Sequence, residues 1–346
     1  MPSPMNLARP AYLTIVLVGT VALLVLGKSL IIPFILSLIV FFLITEIRGF
    51  LVRLPFVAKR IPAWLQNTLA SLIMFLLVLL VVNLLGSNIQ QLSKALPTYE
   101  SNIQKFTASI NQQFGIDLLG QIEKFMGDFD FSNLLSNIFN GISELFGNAF
   151  IVILYVIFLI LEESTFSFKL NAIYSDEEEL KKAQSILAKI KKSMSSYFAL
   201  KTLVSVLTGV LSYFALLIIG IEAPIFWAFL IFILNYIPTI GSLIATVFPA
   251  IFAIFQFGEL QPFILILVIV GIIQLVIGNF VEPKLMGNSL NISTLVVMIS
   301  LSLWGAIWGV AGMLLSVPIT VIMIIIFAEF KPTRAVAIML SEKGKV

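Results

Sequence analysis

The chain has 346 residues, 60% of them hydrophobic and 11% charged, with a mean hydropathy of +1.09 and a net charge of +3. Soluble domains carry roughly 25% charged residues, so a soluble globular protein is excluded, and the small charge, spread over loops, gives no reason to expect a nucleic-acid partner. With no cysteine, no histidine and no GxxxxGK[ST] sequence, the chain lacks the means for disulfides, thiolate chemistry, HExxH metal sites, histidine proton relays and Walker-type ATP hydrolysis, and no cofactor or metal is expected.

Nearly uncharged runs cover residues 12–27, 30–45, 69–86, 149–161, 203–221, 263–278 and 306–328. Several approach the ~20 residues that a helix needs to cross a bilayer. Arg9 and the first run have no small-residue cleavage site after them, which reads as a retained first helix. Residues 1–86 therefore form the N-terminal membrane helices. The loop after the second run holds Arg48, Arg53, Lys59 and Arg60 against Glu46, and the positive-inside rule places it in the cytoplasm.

Residues 87–147 carry three lysines against six acids and are expected outside. Within this outer segment, Ile89, Leu92, Leu96, Tyr99, Ile103, Phe106 and Ile110 alternate spacings of three and four, a seven-residue repeat that Pro97 should interrupt. A second stripe runs from Leu134 to Phe146. These amphipathic helices either lie on the body of the protein or the membrane, or form a subunit contact. Residues 148–201 supply a further span and a cytoplasmic amphipathic helix. Ser175 and Glu178 match a capping box there, and the lysine-rich face suits the anionic inner leaflet or plain solvent.

Residues 202–330 form the most apolar part, with only Glu222, Glu259, Glu282 and Lys284 charged through residue 328. A tail at 331–346 brings back Lys331, Arg334, Lys343 and Lys345, so both termini are expected inside. That needs an even number of crossings. Eight are expected, with 224–257 crossing once as a broken segment. The fold class is thus an all-α polytopic membrane protein of about eight transmembrane helices. Broken or re-entrant segments fall in its C-terminal half, and an amphipathic helical segment lies outside.

The breaks point to function. In NYIPTIG (235–241), Pro238 deprives the Leu234 carbonyl of its helical donor and Gly241 permits unusual backbone angles and close approach. Asn235 adds an amide able to bond freed backbone or a ligand, and Tyr236 stands beside it. Irregular backbone at membrane depth must be buried in protein or line a wet cavity. In GNFVEPKLMGN (278–288), Asn279, Pro283 and Gly287 repeat the order Asn, Pro, Gly. Paired interruptions of this kind mark transporter binding sites. Glu282 is the acid available for coupling, with Lys284 and Asn288 nearby. The other reading places Glu282 and Lys284 at the headgroup level. Gly305, Gly309 and Gly312 in WGAIWGVAG have the spacing of a close helix–helix packing face.

NYIPTIG, VEPKLMGNSLNIS (281–293) and LSLWGAIWGVAGMLLSVPIT (301–320) together resemble the autoinducer-2 exporter family of bacterial multi-pass membrane transporters. The resemblance implies a bacterial inner-membrane transporter of about eight spans whose C-terminal half forms the transport core. It also implies a homo-oligomer, with a pentamer the first choice, in contact with membrane lipids and a small-molecule or ion substrate. Members of the family include exporters of a small furanosyl signal and sodium–proton antiporters, and the shared motifs do not choose between them. From the residues themselves, a secondary transporter of a small polar molecule or ion, working by alternating access, is the leading reading. A sodium–proton antiporter of the same family, or a membrane scaffold that does not transport, is the alternative. An intramembrane enzyme lacks a nucleophile–base or acid–base set.

Overall fold

The computed structural model describes residues 8–114, 149–286 and 291–344. Among the described residues the secondary structure is helical, without strands. The elements are α1 (Ala8–Leu26), α2 (Lys28–Val52), α3 (Pro55–Arg60), α4 (Ala63–Phe114), α5 (Ala149–Ile173), α6 (Glu177–Ile219), α7 (Pro224–Leu234), α8 (Ile240–Phe257) and α9 (Leu260–Val276). A π-turn (Ile277–Val281) leads into α10 (Glu282–Met286), followed by α11 (Thr294–Glu329) and α12 (Arg334–Leu340). Six described helices are long and apolar enough to cross a membrane, or seven if α5, bent by 63°, counts as one span. Large apolar side chains such as Leu72, Phe150 and Ile218 are exposed on them, as lipid-facing surfaces require. This is an all-α polytopic membrane protein.

The chain divides into two compact units: Met1–Phe41, Asn148–Lys189 and Ile292–Val346 form one, and Phe42–Gly147 and Ile190–Asn291 the other. In the second unit, α7 and α8 make a re-entrant hairpin. The Gln256 side chain accepts from the Glu222 amide at 2.7 Å and donates to the Gly220 carbonyl at 2.8 Å. The hairpin therefore enters and leaves on the same side. The single crossing expected for 224–257 is corrected: α7 has 11 residues and spans only about 16 Å.

The reversal itself is built by NYIPTIG. Ile237 N–H donates to the Leu234 carbonyl at 2.9 Å, so the group that Pro238 deprives of its helical donor is paired again. Thr239 has φ 60° and ψ −58°, and Ile240 N–H reaches the Pro238 carbonyl at 2.6 Å, a γ-turn centred on a β-branched residue. Such geometry is strained for any residue with a Cβ. Thr239→Gly is expected to raise stability by about 1 kcal/mol, read as a higher melting temperature of the purified protein. Beyond the turn, the Gly241 backbone lies so close to Leu234 that a Cβ there would stand 1.8 Å from the Leu234 oxygen.

α4 runs unbroken through residue 97, against the interruption expected at Pro97, and its 52 residues reach about 78 Å, well beyond a bilayer core. Its Leu85, Leu92 and Tyr99 pack into the core of the second unit with Phe226, Trp227, Ile231 and Phe252. The extension thus lies against the body of its own unit at these residues. The second stripe, 134–146, lies outside the described residues.

The Tyr99 hydroxyl donates to Glu222, and Asn102 Nδ2 donates to the Gln256 carbonyl at 2.6 Å. Burial first, then the Glu222 contact, raises the Tyr99 phenol above its ordinary value. The folded chain therefore holds this proton more tightly than the unfolded chain. Stability should fall as pH rises past about 10, where unfolded tyrosine ionises, and Tyr99→Phe should flatten that alkaline limb. Gln256→Ala orphans the Glu222 amide and the Gly220 carbonyl and should cost about 1–3 kcal/mol, visible as faster amide exchange at Glu222.

In the first unit, α11 doubles back on itself. Gly309 has φ 60° and ψ −138°, which only glycine adopts freely. The hydroxyls of Ser300 and Thr320 meet at 2.9 Å although 20 residues separate them, and a Cβ on Gly312 would stand 1.8 Å from the Trp304 oxygen. The glycines read as a helix–helix packing face are thus the turn and inner contact of one hairpin, with Gly305 beside Met313. Trp304, Trp308 and Leu315 pack with Leu24, Ile31, Ile35 and Ile39, and Trp308 Nε1 donates to the Leu24 carbonyl at 2.9 Å.

At the start of α6 the cap is Asp176, whose Oδ1 accepts from Glu178 N–H at 2.7 Å, in place of the Ser175 expected from the capping box. Lys189 pairs with the Glu329 carboxylate at 2.6 Å, and Lys182 donates to its carbonyl at 3.1 Å, so two of the inner lysines are engaged by α11 of their own unit.

Candidate functional site

The apolar run of α6 carries a polar stripe. Tyr197, Lys201, Ser205, Thr208 and Ser212 are all buried and recur at intervals of three and four, so they share one helix face. Gly209 lies on the same side, and a Cβ there would meet the Ala228 carbonyl at 3.1 Å, which shows how closely α7 approaches. Small residues bring the two backbones together, and polar side chains then meet across the gap.

What they meet is the tip of the re-entrant hairpin. Asn235 Nδ2 donates to Ser205 Oγ at 3.1 Å. The Tyr236 and Thr202 hydroxyls lie 2.6 Å apart. Thr202 directs its one hydroxyl hydrogen to the Phe198 carbonyl at 2.6 Å, so Tyr236 is the donor between them. One turn away, Lys201 Nζ lies 2.5 Å from Glu282 Oε1, and the two side chains retain only 6% and 21% of their exposure. Tyr197 is within electrostatic reach of both Glu282 and Tyr236. Ser212 Oγ, Trp227 Nε1 and Gln274 Nε2 in the same unit are buried without a hydrogen-bond partner among the described residues. Buried polar atoms of this kind are exceptional and call for a ligand or water to explain them.

Asn235, Tyr236 and Glu282 thus come together against one face of α6, and Pro238 and Gly241 form the turn that places the first two. The second interruption differs from the expectation. α9 continues through the π-turn into α10, where Glu282 N–H bonds the Ile277 carbonyl, so the helix is widened and not broken at Asn279. Asn279, Pro283 and Lys284 are exposed on that segment, and Glu282 pairs with Lys201, not with Lys284. Gly287 and Asn288 lie outside the described residues.

Lys201, Thr202 and Ser205 were not singled out from the sequence, and Tyr197 was read only as part of the apolar face of the inner amphipathic helix. Lys201 ends a lysine-rich stretch and looks like one more cytoplasmic charge. The signal that could have found it is the three-and-four spacing of Lys201, Ser205, Thr208 and Ser212 into an apolar run.

A buried ion pair and a hydroxyl–amide cluster beside a re-entrant tip, inside an all-helical multi-pass membrane protein, are features that point to the class of membrane transport proteins. The chain belongs to the AI-2E transporter family: the family profile "AI-2E family transporter" matches residues 13–331. It is 30% identical over 339 residues to "AI-2 transport protein TqsA" of Escherichia coli (strain K12), covering 96% of each chain. It is also 30% identical over 324 residues to a "Putative transport protein" of Haemophilus influenzae, covering 92% of this chain and 91% of that one. To "Putative transport protein YhhT" of Escherichia coli (strain K12) it is 27% identical over 290 residues, 82% of each. The family and these relatives are named for transport, and the chain is accordingly a bacterial multi-pass transport protein and not an enzyme.

Proposed function

We propose that the chain is a secondary transporter that exports or exchanges a small polar molecule by alternating access around the α7–α8 tip and the polar face of α6. The observation that carries this reading is the meeting of Asn235 and Tyr236 with Ser205 and Thr202, beside the Lys201–Glu282 pair. Membrane-buried polar groups are expensive, and a re-entrant tip that gathers them makes a local, breakable seal. With no Walker A sequence in the chain, a gradient or downhill flux drives the cycle.

The name of the TqsA relative supports a furanosyl signal of the autoinducer-2 type as the first substrate to test. The lysine and arginine distribution supports cytoplasmic termini, and the family supports placement in the inner membrane. A homo-oligomer, with a pentamer the first state to test, completes the proposal. The test is flux of labelled signal molecule from proteoliposomes containing the native chain or Asn235→Ala. Native protein should carry flux, and the variant should lose about tenfold, the effect of one hydrogen-bonded contact of ~1.4 kcal/mol. Equal flux from both would refute the site, and no flux under any gradient would favour a scaffold.

A further inference from the structure

We propose that Lys201 acts as a tethered cation on Glu282, so that this site excludes free alkali cations and the chain works without sodium. The proposal rests on the reading of the α6–tip cluster as the transport site and adds a specificity to it. In the unit that holds the cluster, the described acids on residues 190–291 are Glu222, Glu259 and Glu282, and Glu46 of the same unit is taken up by the Ser195 hydroxyl. Glu222 is engaged by Tyr99 at the open end of the hairpin, and Glu259 is exposed at the start of α9. Glu282 is therefore the acid among them that stands at the cluster.

A hard cation is held by several oxygen ligands with a carboxylate among them. Lys201 Nζ, at 2.5 Å from Glu282 Oε1, already occupies the position that such an ion would take. Its own side chain is nearly fully buried, and the described residues contain no group of three acid side chains able to hold a metal ion. The neighbouring oxygens of Thr202, Ser205 and Tyr236 are donors or acceptors to one another and to Asn235. They are neutral, so the ammonium is the cation that balances Glu282. A carboxylate left alone in apolar surroundings must find a cation or a proton. Removing Lys201 should therefore create a sodium site where the native chain has none.

The test compares melting temperatures of purified protein in sodium chloride and choline chloride at equal ionic strength, with flux from proteoliposomes measured in the same two salts. The native chain should melt at the same temperature in both, and its flux should differ by less than about twofold, since a ligand that does not bind the folded state shifts nothing. Lys201→Ala should melt higher in sodium than in choline, by an amount that grows with sodium concentration as for a bound ligand. Adding Glu282→Gln to that variant should abolish the difference. If Lys201→Ala is not recovered folded, Lys201→Gln carries the same comparison. Sodium-specific stabilisation of the native chain, or native flux that requires sodium, would overturn the proposal, and so would a Lys201 variant indifferent to sodium. The melting arm needs no transport, so a native chain without flux refutes the transport reading while the salt comparison still decides the role of Lys201.

Discussion

Gly241→Ala and Gly312→Ala are each expected to destabilise the protein by about 3 kcal/mol or more, at or beyond the upper end of ordinary overpacking costs. In both cases the new Cβ would stand 1.8 Å from a carbonyl oxygen, that of Leu234 or of Trp304, so the backbone of the hairpin would have to shift. These contacts are to main chain, so no rotamer change relieves them. At Gly241 the shift would also pull Asn235 and Tyr236 from Ser205 and Thr202. Gly86→Ala is the control: nothing lies within 4 Å of its Cβ position on α4, and it should be neutral or stabilising by up to about 1 kcal/mol. Melting midpoints of the three variants in one detergent decide the matter, and a Gly241→Ala midpoint equal to native would contradict the tight turn.

Lys201→Ala is expected to cost about 3–5 kcal/mol, because it leaves the Glu282 carboxylate buried without its partner. The same principle makes the double variant Lys201→Met with Glu282→Leu close to native in stability, since apolar side chains of similar size need no counter-ion. The single and double variants therefore separate structural from functional roles of the pair. A stable double variant that carries no flux shows that the charges serve transport, whereas one with native flux removes them from the mechanism. Unfolding midpoints together with proteoliposome flux give both readouts.

Much of this was legible in the sequence because lipid leaves so few choices. Long uncharged runs of this length read as helices, and a proline, a glycine and an asparagine within seven such residues mark where one is interrupted. NYIPTIG is that break, and it supplies two of the polar contacts at the site. The second break was less legible because the same residue types serve two purposes. Pro283 follows Glu282 just past the π-turn, where a missing N–H removes only the bond that the Asn279 carbonyl would have accepted, so the helix goes on. Gly309, spaced from Gly305 like a packing face, is instead the reversal of α11, and only its φ of 60° tells the two apart. Whether a short apolar helix such as α7 crosses or returns depends on a bond between Glu222 and Gln256, 34 residues apart. Lys201 was hidden by its company, a charge at the end of the lysine-rich part of α6 that turns inward two residues before the apolar run begins.

Single cysteines at positions 235 and 236 give the most direct test of the site, because the native chain contains no cysteine of its own. Proteoliposomes carrying each variant would be exposed to a membrane-impermeant thiol reagent from the outside or from the lumen, with and without substrate. Alternating access around the α7–α8 tip predicts labelling from at least one side, protection by substrate, and loss of flux once the thiol is modified. A tip that reacts from neither side, in variants that still carry flux, would contradict the account.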